Sequence, residues 1–273
     1  MKSNHGFQLC SRDLNVLPTA DAVVELKYDG EMALWDGKNL WNRRGNEISD
    51  KFPELNLPPN VVLIGEIVIF NQDGVSEFTE ILRRGENRVV NRLRAKVVPA
   101  TFVAFDIIEK DGKDLKTMPQ SWRKALLISV PGIKTPKSWS IEHLEEAKEY
   151  VRIHNEEGLI IKRLESPYVI CEGEKRSNHW IKWKAWMYRA FPVIRAGPTG
   201  TGDGFTAFIN NLGREQEVAV QHPSAREKLR DGGGRFIVVR FLEENENHAL
   251  RQPTCKGVYA DSETATKVAM FAS

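Results

Sequence analysis

The chain has 273 residues, of which 41% are hydrophobic and 28% are charged. This composition supports a sizeable core and excludes global disorder, and no apolar run approaches the ~18 residues that a membrane-spanning helix needs. The net charge of +2 does not by itself indicate a polyanionic partner. The opening MKSNHGFQLC lacks the apolar region of a signal peptide. Cys10, Cys171 and Cys255 are scattered without metal-binding spacing, which predicts reduced thiols in a cytoplasmic compartment.

In chain order, the first predicted elements are strands. Residues 21–44 contain the runs DAVVELKYDG, EMALWDG and NLWNRRG, with the hairpin signal Asp36-Gly37 after the second. Two buried strands follow, VVLIGEIVIF at 61–70 and TFVAFDIIE at 101–109, and each carries one acid near its middle. Because an unpaired buried carboxylate is costly, these acids predict polar partners between the strands.

Helices and further strands come next. The helices are predicted from QSWRKALLISV and from SIEHLEEAKEYVRIHNEEG, in which Ser140 is a candidate N-cap and Gly158 follows the helix end. The segments GLIIKRL and HWIKWKAW return to strand. Because strands and helices are mixed without regular βαβ units, the sequence predicts an α+β fold with mixed antiparallel sheets.

The sequence changes character near residue 190. Short strands separated by glycine-rich turns fill the remainder, with no long helix predicted, although PSAREKL fits one or two helical turns. This pattern suits a small barrel such as an OB-fold. We therefore predict two domains, residues 1–189 and 190–273. The run at 200–204 is predicted to be a hairpin turn, since it lacks the Gly-Lys-Ser/Thr ending of a phosphate loop.

Basic residues concentrate in two stretches that predict phosphate contacts. The first runs from Arg83 to Lys96 with Glu86 as its single acid, and the second runs from Lys175 to Arg195. For either stretch alone, a solvated surface is an equally good interpretation.

Lys27 lies in a hydrophobic strand and is followed closely by Asp29 and Gly30. Lys-x-Asp-Gly alone is a weak motif, and its simpler interpretation is a strand ending in a turn with the lysine in solvent. The polar and aromatic residues that follow it along the chain favour a functional site. The further polar or aromatic candidates, in order, are Arg43 and Arg44 in NRRG, Glu66 in LIGEIVIF, Phe105 in FVAFD, Glu157 in EEGLIIK, and Lys182 and Lys184 in HWIKWK.

This ordered set resembles the covalent nucleotidyltransferases, and most closely the small ATP-dependent DNA ligases of the viral and bacterial type. The resemblance extends from about Leu26 to Lys184 and, more weakly, to LRQPTCKGVYAD near the end. It implies a nucleotidyltransferase (adenylation) domain followed by an OB-fold barrel, and a cytoplasmic monomer that acts on nicked double-stranded DNA. It also implies ATP, with AMP carried covalently on a lysine, and Mg²⁺, with Mn²⁺ as an alternative.

The resemblance implies a role for each candidate residue. Lys27 would attack the α-phosphate of ATP as a neutral amine, with its pKa lowered by Lys182, Lys184 and a metal ion. Glu66 would accept from the ribose hydroxyls and Phe105 would stack on adenine. The expected catalytic residues are Lys27, Asp29, Lys182 and Lys184. The expected nucleotide contacts are Glu25, Leu26, Lys27, Arg43, Glu66, Phe105, Lys182 and Lys184.

The remaining implied residues concern the metal and the DNA. Glu157 and Asp29 are the expected metal ligands, because a hard cation prefers carboxylate oxygens. The expected DNA contacts are Arg43, Arg44, Arg83, Arg84, Arg88, Lys175 and Arg176.

Two departures and three alternatives accompany the resemblance. Met32 stands where the family's nucleophile motif usually has arginine, and Gly257 and Tyr259 occupy expected basic positions of its last motif. A capping guanylyltransferase, an RNA ligase and an inactive nick-binding relic are the alternative functions. Comparing ATP with GTP, and DNA with RNA, discriminates among them.

Overall fold

The computed structural model describes residues 6–72, 74–173, 175–199, 204–245 and 247–272. The chain divides into two compact units, Met1–Lys184 and Ala185–Ser273. This boundary lies slightly before the predicted one at 189/190, because the first barrel strand already begins at Met187. Most of the predicted glycine-rich turn, residues 200–203, lies outside the described residues.

The first unit contains ten strands and four α-helices among its described residues. The strands are β1 Cys10–Ser11, β2 Ala22–Lys27, β3 Glu31–Trp35, β4 Leu40–Asn42, β5 Val61–Ile69, β6 Ala100–Lys110, β7 Lys113–Asp114, β8 Ser138–Ser140, β9 Gly158–Arg163 and β10 Ser177–Lys184. The helices are α1 Phe78–Leu82, α2 Arg88–Val97, α3 Gln120–Ile128 and α4 Leu144–Ile153. Short 3-10 turns lie at Leu14–Val16, Ser49–Lys51 and Ile141–His143.

These strands form two five-stranded sheets. One has the strand order β1-β10-β9-β2-β8 and the other β4-β3-β5-β6-β7. All pairs are antiparallel except β1 with β10. Mixed sheets with helices on their faces agree with the α+β layout predicted from the sequence.

Two apolar clusters hold the first unit together. One covers a face of the second sheet, where Leu63 and Ile67 of β5 pack with Phe52 and with Leu127 of α3. The other joins the two sheets, bringing Ile64 of β5 together with residues of β1, β6, β9 and β10. Because alternate residues of a strand face opposite sides, β5 contributes to both clusters.

The second unit is a closed five-stranded barrel with strand order β11-β12-β13-β15-β14. Its elements are β11 Met187–Pro198, β12 Phe205–Asn211, β13 Arg214–Ala219, α5 Pro223–Arg230, β14 Phe236–Phe241, β15 Thr254–Tyr259 and α6 Ser262–Ala272. The sequence prediction that this part has no long helix was wrong for α6. Its buried residues are the alanines Ala265 and Ala269, which give only a weak apolar period.

Cys10, Cys171 and Cys255 are all free thiols. Within the described residues, no helix is both long enough and apolar enough to span a membrane.

Candidate active site

Strand β9 brings the two key lysines to one end of the first sheet. Gly158 pairs with Lys27 of β2 on one side and with Lys184 of β10 on the other. Glu157 precedes Gly158, so its carboxylate lies between the lysines. Oε2 of Glu157 accepts a hydrogen bond from Lys27 Nζ, and Oε1 lies 2.7 Å from Lys184 Nζ. Residues from three separate segments of the sequence, Lys27, Glu157 and Lys184, thus form one cluster.

Glycines at two positions permit these close approaches. A Cβ on Gly158 would collide with the carbonyl oxygen of Trp183, and a Cβ on Gly30 would collide with the carbonyl oxygen of Ile67. The chain after β2 therefore passes close to β5, and the chain at the start of β9 lies directly against β10. These contacts explain why glycine follows Asp29 and Glu157 in the two motifs.

The charges around Lys27 determine the direction of its pKa shift in the structure. Burial lowers the pKa of the Lys27 ammonium, but Glu157, Glu66 and Asp29 together outweigh it, so the pKa lies above its usual value. The structure therefore does not show the lowering of the Lys27 pKa, which was predicted from Lys182, Lys184 and a metal ion acting together. Lys184 is ion-paired with Glu157 and does not act on Lys27 as an uncompensated positive charge.

Two further residues that the sequence predicted for the site have strongly shifted pKa values. Burial, together with the charges of Glu157 and Asp29, raises the pKa of Glu66 to about 8, although Lys27 opposes the shift. Burial lowers the pKa of Lys182 to about 8, with help from Arg12. Perturbed groups of opposite sign in one cleft are typical of catalytic sites.

A second buried network adjoins Phe105. Lys162 Nζ donates to the Phe105 carbonyl oxygen at 2.6 Å and lies 2.7 Å from a Glu25 carboxylate oxygen. The same ammonium lies 4.4 Å from the Trp180 ring centroid and 5.0 Å from that of Phe105. Glu25 is also ion-paired with Lys124. Lys162 and Lys124 were not predicted as site residues. For Lys162, its position at the end of the apolar run GLIIK could have indicated a buried lysine.

Leu26 does not fit a side-chain role in nucleotide binding. It alternates with Lys27 on β2, its side chain is buried, and its amide donates to the Lys137 carbonyl oxygen at 2.9 Å. The predicted nucleotide contact of Leu26 stays a prediction, and alternation along β2 turns its side chain away from Lys27.

Arg84 corrects another prediction. Its side chain is 1% exposed and lies 2.8 Å from Glu54, and its guanidinium also donates to the carbonyl oxygens of Lys51, Asn91 and Val98. Arg84 therefore ties helices α1 and α2 to the chain before β5. It cannot reach DNA in this conformation.

The other predicted DNA contacts lie on the surface. Arg83 and Arg88 are exposed and paired with Glu80 and Asp50 respectively. Arg43 and Arg44 are exposed in the turn after β4, and Lys175 and Arg176 are exposed before β10. Their contact with DNA stays a prediction.

The residues present fit a hard divalent cation only in company with phosphate. Within the described ranges, no group of three or more His, Cys, Asp or Glu side chains converges as a metal cage. Glu157 and Asp29 both act on Lys27 electrostatically, so two carboxylates border the place where the triphosphate would react. Mg²⁺ is commonly held by one or two carboxylates plus substrate phosphates, which this donor set matches.

The two-sheet fold, with Lys27, Glu157 and Lys184 clustered at one end of the first sheet, agrees with a ligase domain. Residues 6–184 match the family model described as "ATP dependent DNA ligase domain", and the chain belongs to that family.

Three comparisons describe its relatives. The SPbeta prophage-derived DNA ligase-like protein LigB of Bacillus subtilis is 29% identical over 70% of this chain and 75% of that protein. The DNA ligase of Archaeoglobus fulgidus is 27% identical over 66% of this chain but only 35% of its own length. A solved Lig E DNA ligase, described as binding DNA with a minimal scaffold, superposes with a TM-score of 0.71 at 19% identity, covering 93% of this chain and 98% of that one. The last likeness concerns the fold.

Proposed function

We propose that this protein is an ATP-dependent DNA ligase that seals 5′-phosphate/3′-hydroxyl nicks in duplex DNA. The main support for this proposal is that Glu157, just before β9, is ion-paired with both Lys27 and Lys184. The ion pair with Glu157 would keep Lys27 protonated and unreactive. Lys27 would become a nucleophile only when the Glu157 carboxylate is no longer paired with it.

In the first step, Lys27 Nζ forms a bond to the α-phosphorus of ATP, loses a proton and expels pyrophosphate. The nucleophile must be the neutral amine, whereas the resting Lys27 is held protonated by its neighbours. Glu157 and Asp29 would hold Mg²⁺ together with the phosphates, and the ion would supply positive charge beside the leaving group.

The two lysines of β10 then have separate roles. Lys184, released from Glu157, would hold charge on the α-phosphate as it grows. Lys182 has a lowered pKa and lies near Arg12 and Arg176, which makes a local positive region suited to phosphate oxygens. Alternation along β10 places both lysines on one face.

The nucleoside would lie over the network beside Lys27. Phe105 offers a ring whose position is fixed through Lys162 and Trp180. Glu66 would contact the ribose hydroxyls, and its raised pKa lets it donate or accept near neutral pH. Glu25, compensated by Lys162 and Lys124, is the acidic group on this side. These features support a purine nucleotide as the bound substrate.

The second unit would be an OB-fold that helps to grip DNA. Its closed five-strand order and the helix α5 between β13 and β14 support that assignment. After transfer of AMP to the 5′-phosphate, the 3′-hydroxyl displaces AMP and joins the strands. We propose a monomer whose exposed basic residues bind backbone phosphates, so that sealing is salt-sensitive.

The test is to mix the protein with Mg²⁺ and α-labelled ATP or GTP, and then to add nicked DNA or nicked RNA. Label on the protein from ATP, followed by sealing of nicked DNA, is the expected result. Label from GTP alone would indicate a guanylyltransferase, and sealing restricted to RNA would indicate an RNA ligase. Absence of label with either nucleotide would reject the proposed function.

A further inference from the structure

Ser76 lies between the two loops that carry the expected metal ligands. It follows β5 and pairs with Phe70 in an isolated bridge. Its Oγ accepts a hydrogen bond from the Asp29 amide at 3.0 Å and donates one to Glu156 Oε2 at 3.2 Å. One hydroxyl thus links the nucleophile loop to the residue that precedes Glu157.

The two hydrogen bonds require a hydroxyl group. Oγ has a single proton, which goes to Glu156, while a lone pair receives the Asp29 N–H. Alanine makes neither side-chain contact and keeps only the backbone hydrogen bond of residue 76 to Glu156, whereas threonine keeps both the donor and the acceptor. The link is also sheltered, because Glu156 is only 7% exposed.

The link acts on Asp29 independently of the Lys27–Glu157 ion pair. Lys27 is anchored directly to Glu157, and Gly30 is anchored by its close approach to β5. Asp29 lies between these two anchors, and its backbone is fixed by Ser76. Without that hydroxyl, the hydrogen bond from the Asp29 amide and the side-chain hydrogen bond to Glu156 would both be lost, while the lysine would keep its partner.

We propose that Ser76 is a positioning residue that sets the distance between the two metal-binding loops through Asp29 and Glu156. This inference rests on the proposed function. A group that orients metal ligands from outside the coordination shell contributes ~10–100-fold to metal affinity or activity. Ser76 contacts neither nucleotide nor metal in this role.

The test compares Ser76→Ala and Ser76→Thr with the wild-type protein and with Ser129→Ala. Ser129 is a matched control, because its hydroxyl makes one hydrogen bond, to the Leu126 carbonyl oxygen at 2.7 Å, at the end of α3. Single-turnover lysine labelling is measured against Mg²⁺ concentration at saturating ATP. Amide hydrogen exchange of the peptide containing Asp29 is measured without nucleotide or metal.

Ser76→Ala is expected to raise the half-saturating Mg²⁺ concentration by ~10-fold or more and to speed exchange at Asp29. Ser76→Thr should restore both values, and Ser129→Ala should match the wild type. Unchanged exchange in Ser76→Ala, or an unchanged Mg²⁺ requirement, would overturn the inference, as would failure of threonine to rescue. If the wild-type protein itself takes no label, the proposed function fails. In that event, faster exchange in Ser76→Ala would still show the anchoring but would overturn the catalytic role inferred from it.

Discussion

Lys27 and Glu157 form a largely buried ion pair in which the proposed nucleophile donates to the carboxylate that is also its proposed metal ligand. The Glu157 side chain is 6% exposed, and its pKa is lowered because Lys27 and Lys184 outweigh the effect of burial. In the proposed mechanism, metal binding by Glu157 would therefore be coupled to activation of Lys27.

Removal of the nucleophile is the first test. Lys27→Ala is expected to abolish covalent labelling with α-labelled ATP, because no other amine occupies the position opposite Gly158 on β2. Lys38→Ala is the control, since Lys38 is exposed in the turn between β3 and β4. Acid-labile, alkali-stable label persisting in the Lys27→Ala protein would show that the nucleophile has been misassigned.

Glu157→Gln separates two effects of the same residue. The substitution removes the largest charge that raises the pKa of Lys27, so the pH dependence of labelling should move to lower pH. At saturating ATP and high pH, the labelling rate should nevertheless fall by ~10²-fold or more, as for loss of a transition-state contact. Labelling rates measured across the pH range distinguish the two. A profile that stays at the wild-type position would contradict the charge balance described here.

Glu66→Gln is expected to change the pH dependence of stability. The folded-state pKa of about 8 lies above the unfolded value, so the folded protein binds more protons between roughly pH 4 and 8. The contribution of Glu66 to the free energy of unfolding therefore falls as pH rises through that window. Glutamine does not ionise, so the variant does not lose this free energy. The variant should exceed the wild type in unfolding free energy by roughly 4–5 kcal/mol at pH 8.5, at about 1.4 kcal/mol per pKa unit, and match it at pH 4. Urea unfolding at both pH values provides the measurement, with exposed Glu47→Gln as the control.

Asp106 beside Phe105 has a structural role. Both its oxygens accept from the Arg123 guanidinium, at 2.9 and 3.0 Å, and neither side chain is exposed. Asp106→Ala should cost about 3–5 kcal/mol of unfolding free energy, because it leaves a buried guanidinium without its counter-charge. Asp114→Ala, which breaks an exposed pair with Lys116, should cost about 1 kcal/mol or less. Equal losses in the two variants would refute the buried pairing.

Two arginines of the first basic stretch should behave differently. Arg88→Ala is expected to weaken binding to nicked duplex and to reduce the slope of log affinity against log salt by about 1, with little effect on stability. Arg84→Ala should lower stability, because Arg84 is buried against Glu54. Binding titrations between 50 and 200 mM salt, with parallel unfolding curves, give both values. An unchanged salt slope in Arg88→Ala would remove that residue from the DNA surface.

The sequence was most informative where an apolar strand pattern is interrupted by a single polar or charged residue. The strands around Lys27, Glu66, Phe105 and Lys182 follow from apolar runs interrupted by single polar residues, and the structure places them as predicted strands. Alternation along β2 also separates Lys27 from Leu26, although the sequence prediction grouped the two.

What the sequence could not supply depends on contacts between distant segments. The burial of Arg84 arises because Glu54, Asn91 and Val98 meet around it, and nothing in a run of arginines distinguishes one buried member. The raised pKa of Lys27 likewise depends on which oxygen of Glu157 faces which lysine. Helix α6 escaped prediction because alanines, rather than large apolar residues, face the barrel.

The first compact unit ends at Lys184, the residue whose ammonium lies against Glu157. A shortened protein that stops at this boundary would carry its terminal carboxylate on Lys184 itself. That new negative charge would compete with Glu157 for the ammonium and, in the proposed mechanism, would repel an incoming triphosphate. Any attempt to isolate the first unit should therefore extend beyond Trp186, so that the artificial chain end is moved away from Lys184.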